Sequence, residues 1–130
     1  MKPVGILLVS TGGLATSVST LITELLGKPA TFKSLAIRRE DHWEEASAKV
    51  RKAVDAIDQG GGVLILTEIP GGTPFNVACS LRRERNVEVI GGINLPLVMK
   101  AVQIAAEHPL PELAALLEKY GRDHIQRGLG

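Results

Sequence analysis

The chain has 130 residues, 45% of them hydrophobic and 22% charged, and a formal net charge of +1. That is enough apolar material for one globular domain with a real core, spanning residues 1–130. The charge balance excludes nucleic acid as a partner, because binding a phosphate backbone needs a basic stripe.

Strand-like runs alternate with helical periodicities from end to end. Val4 to Val9 reads as a buried strand. It is too short for a signal peptide or a membrane span, so the expected compartment is the cytoplasm. Leu14, Val18, Leu21, Ile22 and Leu25 then recur at helical spacing until Gly27 stops the helix. Phe32 to Ile37 is a second strand. Asp41 followed by Glu44 predicts a capping box for a helix with Trp43, Ala46, Val50, Ala53, Val54 and Ile57 on its apolar face. After Gly60-Gly61-Gly62 comes the strand Gly62 to Thr67, then the loop Glu68-Ile69-Pro70-Gly71-Gly72-Thr73 and a helix from about Pro74 to Arg83. Cys79, the one cysteine, lies in that helix among apolar residues and is expected to pack in the core. Arg82-Arg83-Glu84-Arg85, the densest basic group, reads as a solvated helix end. Val87 to Ile90 is a fourth strand, Asn94 and Pro96 open the next helix, and a last helix begins near Pro111 and runs at least to Tyr120.

Strands separated by single helices predict one α/β domain, a doubly wound and mainly parallel sheet flanked by helices. Its binding crevice belongs at the carboxyl ends of the strands, where strand order switches. Three glycine-rich loops should converge there: Ser10-Thr11-Gly12-Gly13, Glu68 to Thr73, and Gly91-Gly92-Ile93-Asn94. Glycines let the backbone approach an anion, and the helices that follow offer free N–H groups and the positive end of a dipole. Gly12, Gly71, Gly72 and Thr73 are therefore the expected anion-binding positions. Glu68 opposes a bound anion, so only weak binding is expected while it is ionised.

Several uses of this architecture fail on residue grounds. A receiver domain or aspartyl-phosphate hydrolase needs an aspartate just after the first strand, and the first acidic residue here is Glu24. GxxxxGK[ST], GxGxxG and GxSxG are all missing. His42, His108 and His124 are scattered over different elements, which supports no metal site. No cofactor is implied.

The order of strand, short loop and helix ending Leu25-Leu26-Gly27, then GGTPFN (71–76) and VEVIGGINLP (87–96), resembles the mannose-type IIA component of the bacterial sugar phosphotransferase system over essentially the whole chain. The resemblance implies a cytoplasmic phosphocarrier, a homodimer at most peripheral to a membrane permease. In that family a histidine after the first strand takes a phosphoryl group from the histidine phosphocarrier protein and passes it to a IIB partner. The family reads T-H-G there. Equating that motif with Ser10-Thr11-Gly12 puts the histidine on Thr11, the family's orienting aspartate on Glu68, and its phosphate-holding Ser/Thr on Thr73.

The resemblance thus implies a cradle without its nucleophile. Imidazole forms a reactive phosphoramidate that loads and unloads near neutral pH, whereas a threonine phosphoester is too stable to pass its group on. The expected function is that of a regulatory or docking protein. Two others fit the same residues: an active carrier using Thr11 or His42, and a sensor of a small anion or metabolite. In structural terms Thr11 is expected to cap the first helix or serve as a plain anion-binding hydroxyl. Glu68 fits a site role and the acceptance of backbone N–H groups from a neighbouring loop about equally. Phe75 and Asn76 should lock the glycine loop. The tail Gly121 to Gly130, with Ile125 and Leu129, is expected to lend a strand or helix to a partner subunit.

Overall fold

The computed structural model describes residues 1–129. Its elements are β1 (Gly5–Thr11), α1 (Leu14–Leu26), β2 (Phe32–Ile37), α2 (Trp43–Ile57), β3 (Val63–Thr67), α3 (Thr73–Ser80), β4 (Val87–Gly91), α4 (Leu95–Ile104) and α5 (Leu110–Asp123), with one 3-10 turn (Leu81–Arg83) after α3. The four strands form an all-parallel sheet in the order β2-β1-β3-β4.

β1 and β3 are central, and both faces of each are covered. Residues 5–10 of β1 and every residue of β3 are buried, which is why these segments are aliphatic almost without interruption. Alternation along the strands divides the core in two. Ile6, Leu8, Leu64 and Leu66 pack with Ile22 of α1, Val98 and Ala101 of α4 and Leu113 and Leu117 of α5. Leu7, Val9, Val63 and Ile65 pack with Val50 and Val54 of α2 and Val77 and Ala78 of α3. Each fully buried Leu, Ile or Val side chain contributes about 1.5–3 kcal/mol relative to exposure, so the two layers dominate the stability of the sheet.

Three local expectations need correction. β1 runs on through Thr11 because Ser10 and Thr11 keep pairing with Ala36 and Ile37 of β2. Thr11 is thus a strand residue and caps nothing; the N-cap of α1 is Gly13, and the Ser10 hydroxyl accepts the Ala15 N–H at 2.8 Å. The Asp41–Glu44 capping box does not form either, since α2 starts at Trp43 with His42 as N-cap. Asp41 instead accepts the Arg38 N–H at 3.0 Å and Lys49 Nζ at 2.7 Å, latching the β2–α2 loop onto the helix. Cys79 is half-buried rather than in the core, and burial pushes its thiol up from the ordinary value. Among the described residues no helix is long and apolar enough to cross a membrane.

The Asp41 latch has a pH signature. The hydrogen bond from Lys49, then that from the Arg38 amide, holds the carboxyl below its ordinary value of 3.8. A pKa depressed by folding adds stability above the unfolded value and loses it as pH falls through the folded one. Lys49→Met should therefore lower the thermal midpoint at pH 7, and the difference from the parent should fade below pH 3.8, as differential scanning calorimetry across pH would show.

Candidate functional site at the strand switch point

Sequence neighbours diverge where β1 and β3 end. β1 leads to α1 on one face of the sheet and β3 leads to α3 on the other, so the two loops part and leave a gap between them. The register aligns Val9 with Thr67, which brings Ser10-Thr11 alongside Glu68.

The end of β3 gathers all three glycine loops. Glu68 Oε2 accepts the Thr11 main-chain N–H at 2.7 Å, across 57 residues of sequence. The Thr67 carbonyl accepts the N–H groups of Gly92 (3.1 Å) and Ile93 (3.4 Å) from the loop after β4. Of the two roles weighed for Glu68, acceptance of a backbone N–H from a neighbouring loop is what the geometry displays. Two buried atoms here have no partner among the described residues: Glu68 Oε1 and Thr67 Oγ1. The Thr67 hydroxyl was missed in the sequence; its signal was a threonine closing an otherwise aliphatic strand.

The glycine loop is built around a tight turn. Gly71 has φ +83°, a conformation that side chains disfavour. Asn76 Nδ2 donates to the Gly71 carbonyl at 3.1 Å, and the Gly72 N–H donates to the Ile69 carbonyl at 3.0 Å. Phe75 lies so close to β4 that a Cβ at Gly91 would come within 2.8 Å of its Cδ2 and 3.1 Å of Pro70 Cα. Phe75 and Asn76 therefore lock the loop as expected. Thr73 is the first residue of α3, exposed, beside the helix N-terminus.

The expected anion donors divide. The amides of Gly12 and Gly72 are already bonded, to the Ile37 carbonyl at 3.4 Å and to the Ile69 carbonyl, so they are not free for a ligand. Thr73 and Phe75 head α3, where first-turn N–H groups have no helical acceptor. The histidines stand elsewhere. His42 is exposed at the N-cap position of α2 and makes no side-chain capping bond, and His108 lies between α4 and α5. The His124 ring stacks on Tyr120 at 3.7 Å and its Nδ1 lies 2.7 Å from the Tyr120 carbonyl oxygen. No group of three or more His, Cys, Asp or Glu residues suited to a metal occurs among the described residues.

Two clefts flank the junction, neither of them lined by Thr11, Glu68 or Thr73. One, of about 590 Å³, follows the open edge of β4 between Pro70, Phe75, α5 and Ile125. The other, of about 300 Å³, is apolar and lies between Leu14, Val18 and Leu21 of α1 and Ile93, Leu95 and Val98 near the start of α4.

An open parallel α/β domain with glycine loops meeting at its switch point belongs to the doubly wound proteins that bind ligands at their strand ends. Residues 5–118 match the family model described as PTS system fructose IIA component, and the chain belongs to this mannose-type IIA family of the phosphotransferase system. It is 28% identical over 104 residues to the mannose-specific EIIAB component of Escherichia coli (strain K12), covering 78% of this chain. The chain spans only about a third of that relative, 32% of its length. It is also 28% identical over 79 residues to the fructose-specific EIIA component of Bacillus subtilis (strain 168), covering 60% of this chain and 54% of that one. Its structure is similar to the mannose/sorbose specific IIA subunit from Enterococcus faecalis, with TM-score 0.85, 26% identity and coverage of 98% and 96% of the two chains. The EIIA component from Streptococcus agalactiae shares the fold, with TM-score 0.86, 20% identity and coverage of 95% and 96%.

The packing of Phe75 and Pro70 against Gly91 predicts that Gly91→Ala destabilises the fold by about 1–3 kcal/mol, because buried overpacking displaces neighbours. A lowered urea midpoint, with amide shifts concentrated at residues 70–76, would be the signature.

Proposed function

We propose that this chain is a mannose-type IIA protein that no longer accepts a phosphoryl group and acts instead as a regulatory or docking protein. The observation that carries this reading is the segment that ends β1 and leads into α1, Ser10-Thr11-Gly12-Gly13, which contains no imidazole; the first histidine in the chain is His42. The reading holds in either register of the family motif T-H-G. Laid on Ser10-Thr11-Gly12, it puts the histidine on Thr11; laid on Thr11-Gly12-Gly13, it keeps both the threonine and the final glycine and puts the histidine on Gly12. Thr11 is a half-buried strand residue, whereas a Cβ at Gly12 would meet nothing within 4 Å. Gly12 has φ +72°, where a side chain costs about 1–2 kcal/mol.

Under this proposal Glu68 occupies the place of the family's orienting aspartate and Thr73 that of its phosphate-holding hydroxyl. The partners are the histidine phosphocarrier protein or a IIB component. The IIB component is supported by the E. coli relative, an EIIAB component whose name joins A and B in one protein. The setting is cytoplasmic, at most peripheral to a membrane permease.

Incubation with phosphoenolpyruvate, enzyme I and the histidine phosphocarrier protein, followed by intact-mass measurement, tests the reading. The parent chain should gain no mass; a gain of one phosphoryl group would establish an active carrier and overturn the reading. Thr11→His and Gly12→His, each with and without Glu68→Asp, should restore acceptance in the register that the fold uses. The paired change is expected to work faster, because the shorter carboxylate leaves room for the ring.

A homodimer is part of the same proposal. Gly121–Asp123 complete α5 and leave His124–Leu129 outside any helix or strand, while Gly130 lies outside the described residues. Ile125 lines the cleft along the open β4 edge, and both it and Leu129 are exposed. An edge strand with an open groove beside it suits an added strand from a second copy. Removing residues 124–130 should shift sedimentation toward monomer; a full-length chain that stays monomeric at high concentration would contradict dimerisation.

A further inference from the structure

Glu68 does more than stand near the loops, because it already holds one of their donors. Its Oε2 takes the Thr11 N–H at 2.7 Å, the short distance of a charge-assisted bond, and its Oε1 is shut off from solvent without a partner among the described residues. With the Gly12 and Gly72 amides also bonded inside the protein, the main-chain donors of three loop positions have acceptors before any ligand arrives. We propose that Glu68 is the resident anion of the switch point: its carboxylate fills the place that a free phosphate or sulfate would need and keeps a fixed negative charge there. This deepens the reading of the chain as a IIA protein without a phosphorylation cycle, and it rests on that reading for its meaning. A partner that distinguishes charged from uncharged switch points would meet the same state at all times.

The reach of the side chain is what makes this possible. An aspartate is one methylene shorter, roughly 1.5 Å, which from the same backbone would leave the Thr11 N–H about 4 Å from the carboxylate, outside hydrogen-bond range. Repulsion completes the exclusion. A second negative charge about 4 Å from Glu68, at an effective dielectric near 20, loses roughly a thousandfold in affinity.

Amide spectra and hydrogen exchange of the full chain test the proposal. Inorganic phosphate at neutral pH should leave the parent spectrum unmoved in the low millimolar range. In Glu68→Ala it should shift the amides of Thr11, Thr73 and Phe75, with affinity at least tenfold higher. Thr11 amide exchange should quicken at least tenfold in Glu68→Ala and Glu68→Asp, and less in Glu68→Gln, which keeps an oxygen acceptor but not the charge. Equal phosphate binding by parent and Glu68→Ala, no binding by either, or unchanged Thr11 exchange in both Glu68→Ala and Glu68→Asp would overturn it. These readouts need no phosphocarrier, so the result is separate from the mass experiment: a phosphorylated parent would sink the functional reading while leaving the Thr11 exchange result standing.

Discussion

The pairing of β1 between β2 and β3 is the constraint from which the rest follows. Because β1 is buried on both faces and bonded along both edges, neither its register nor its direction can shift without exposing Leu or Val side chains on one layer or the other. That register puts the end of β1 beside the end of β3. It also sends α1 and α3 to opposite faces, so the gap between their loops is a product of strand order rather than of any particular loop residue.

What fills the gap is chemistry from β3. One residue offers a main-chain carbonyl to the loop after β4, and the next offers a carboxylate to the main chain of β1. Thr67, the last residue of β3, reaches the loop after β4 with its main chain, and Glu68, just past the strand, reaches β1 with its side chain. The glycine loop that follows is held from three sides, by its own turn, by Asn76 and by Phe75 against β4. Such a loop is preorganised by the fold before any ligand arrives.

Family membership gives the fold, and the residues present describe the chemistry of the junction. A phosphohistidine cycle requires an imidazole whose phosphoramidate is close in free energy to its donor and acceptor. A hydroxyl on a half-buried strand residue, whose own amide is tied to a carboxylate, offers neither the nucleophilicity nor the leaving ability. The two flanking clefts lie apart from that cluster, since neither is lined by Thr11, Glu68 or Thr73.

Local pattern carried most of the fold. The aliphatic runs at 4–9 and 63–66, the stop at Gly27 and the cap at Asn94, whose side chain accepts the Leu97 N–H at 3.0 Å, all act within a few residues and were legible without a structure. The parallel sheet followed from alternation of strands and helices, and the place of the site from strand ends rich in glycine. Tertiary structure decided which side chain meets which backbone group. Asp41 had the spacing of a helix cap and became a latch for Lys49; Thr11 had the identity of a cap and became the last residue of a strand, while Ser10 took the capping bond. Glu68 could be placed in the site but not bonded, because its partner lies 57 residues away and its choice between a ligand and a main-chain N–H depends on the β1–β3 register. Short-range order is written in the identities of neighbours; a hydrogen bond across the sheet exists only once distant strands have been brought side by side.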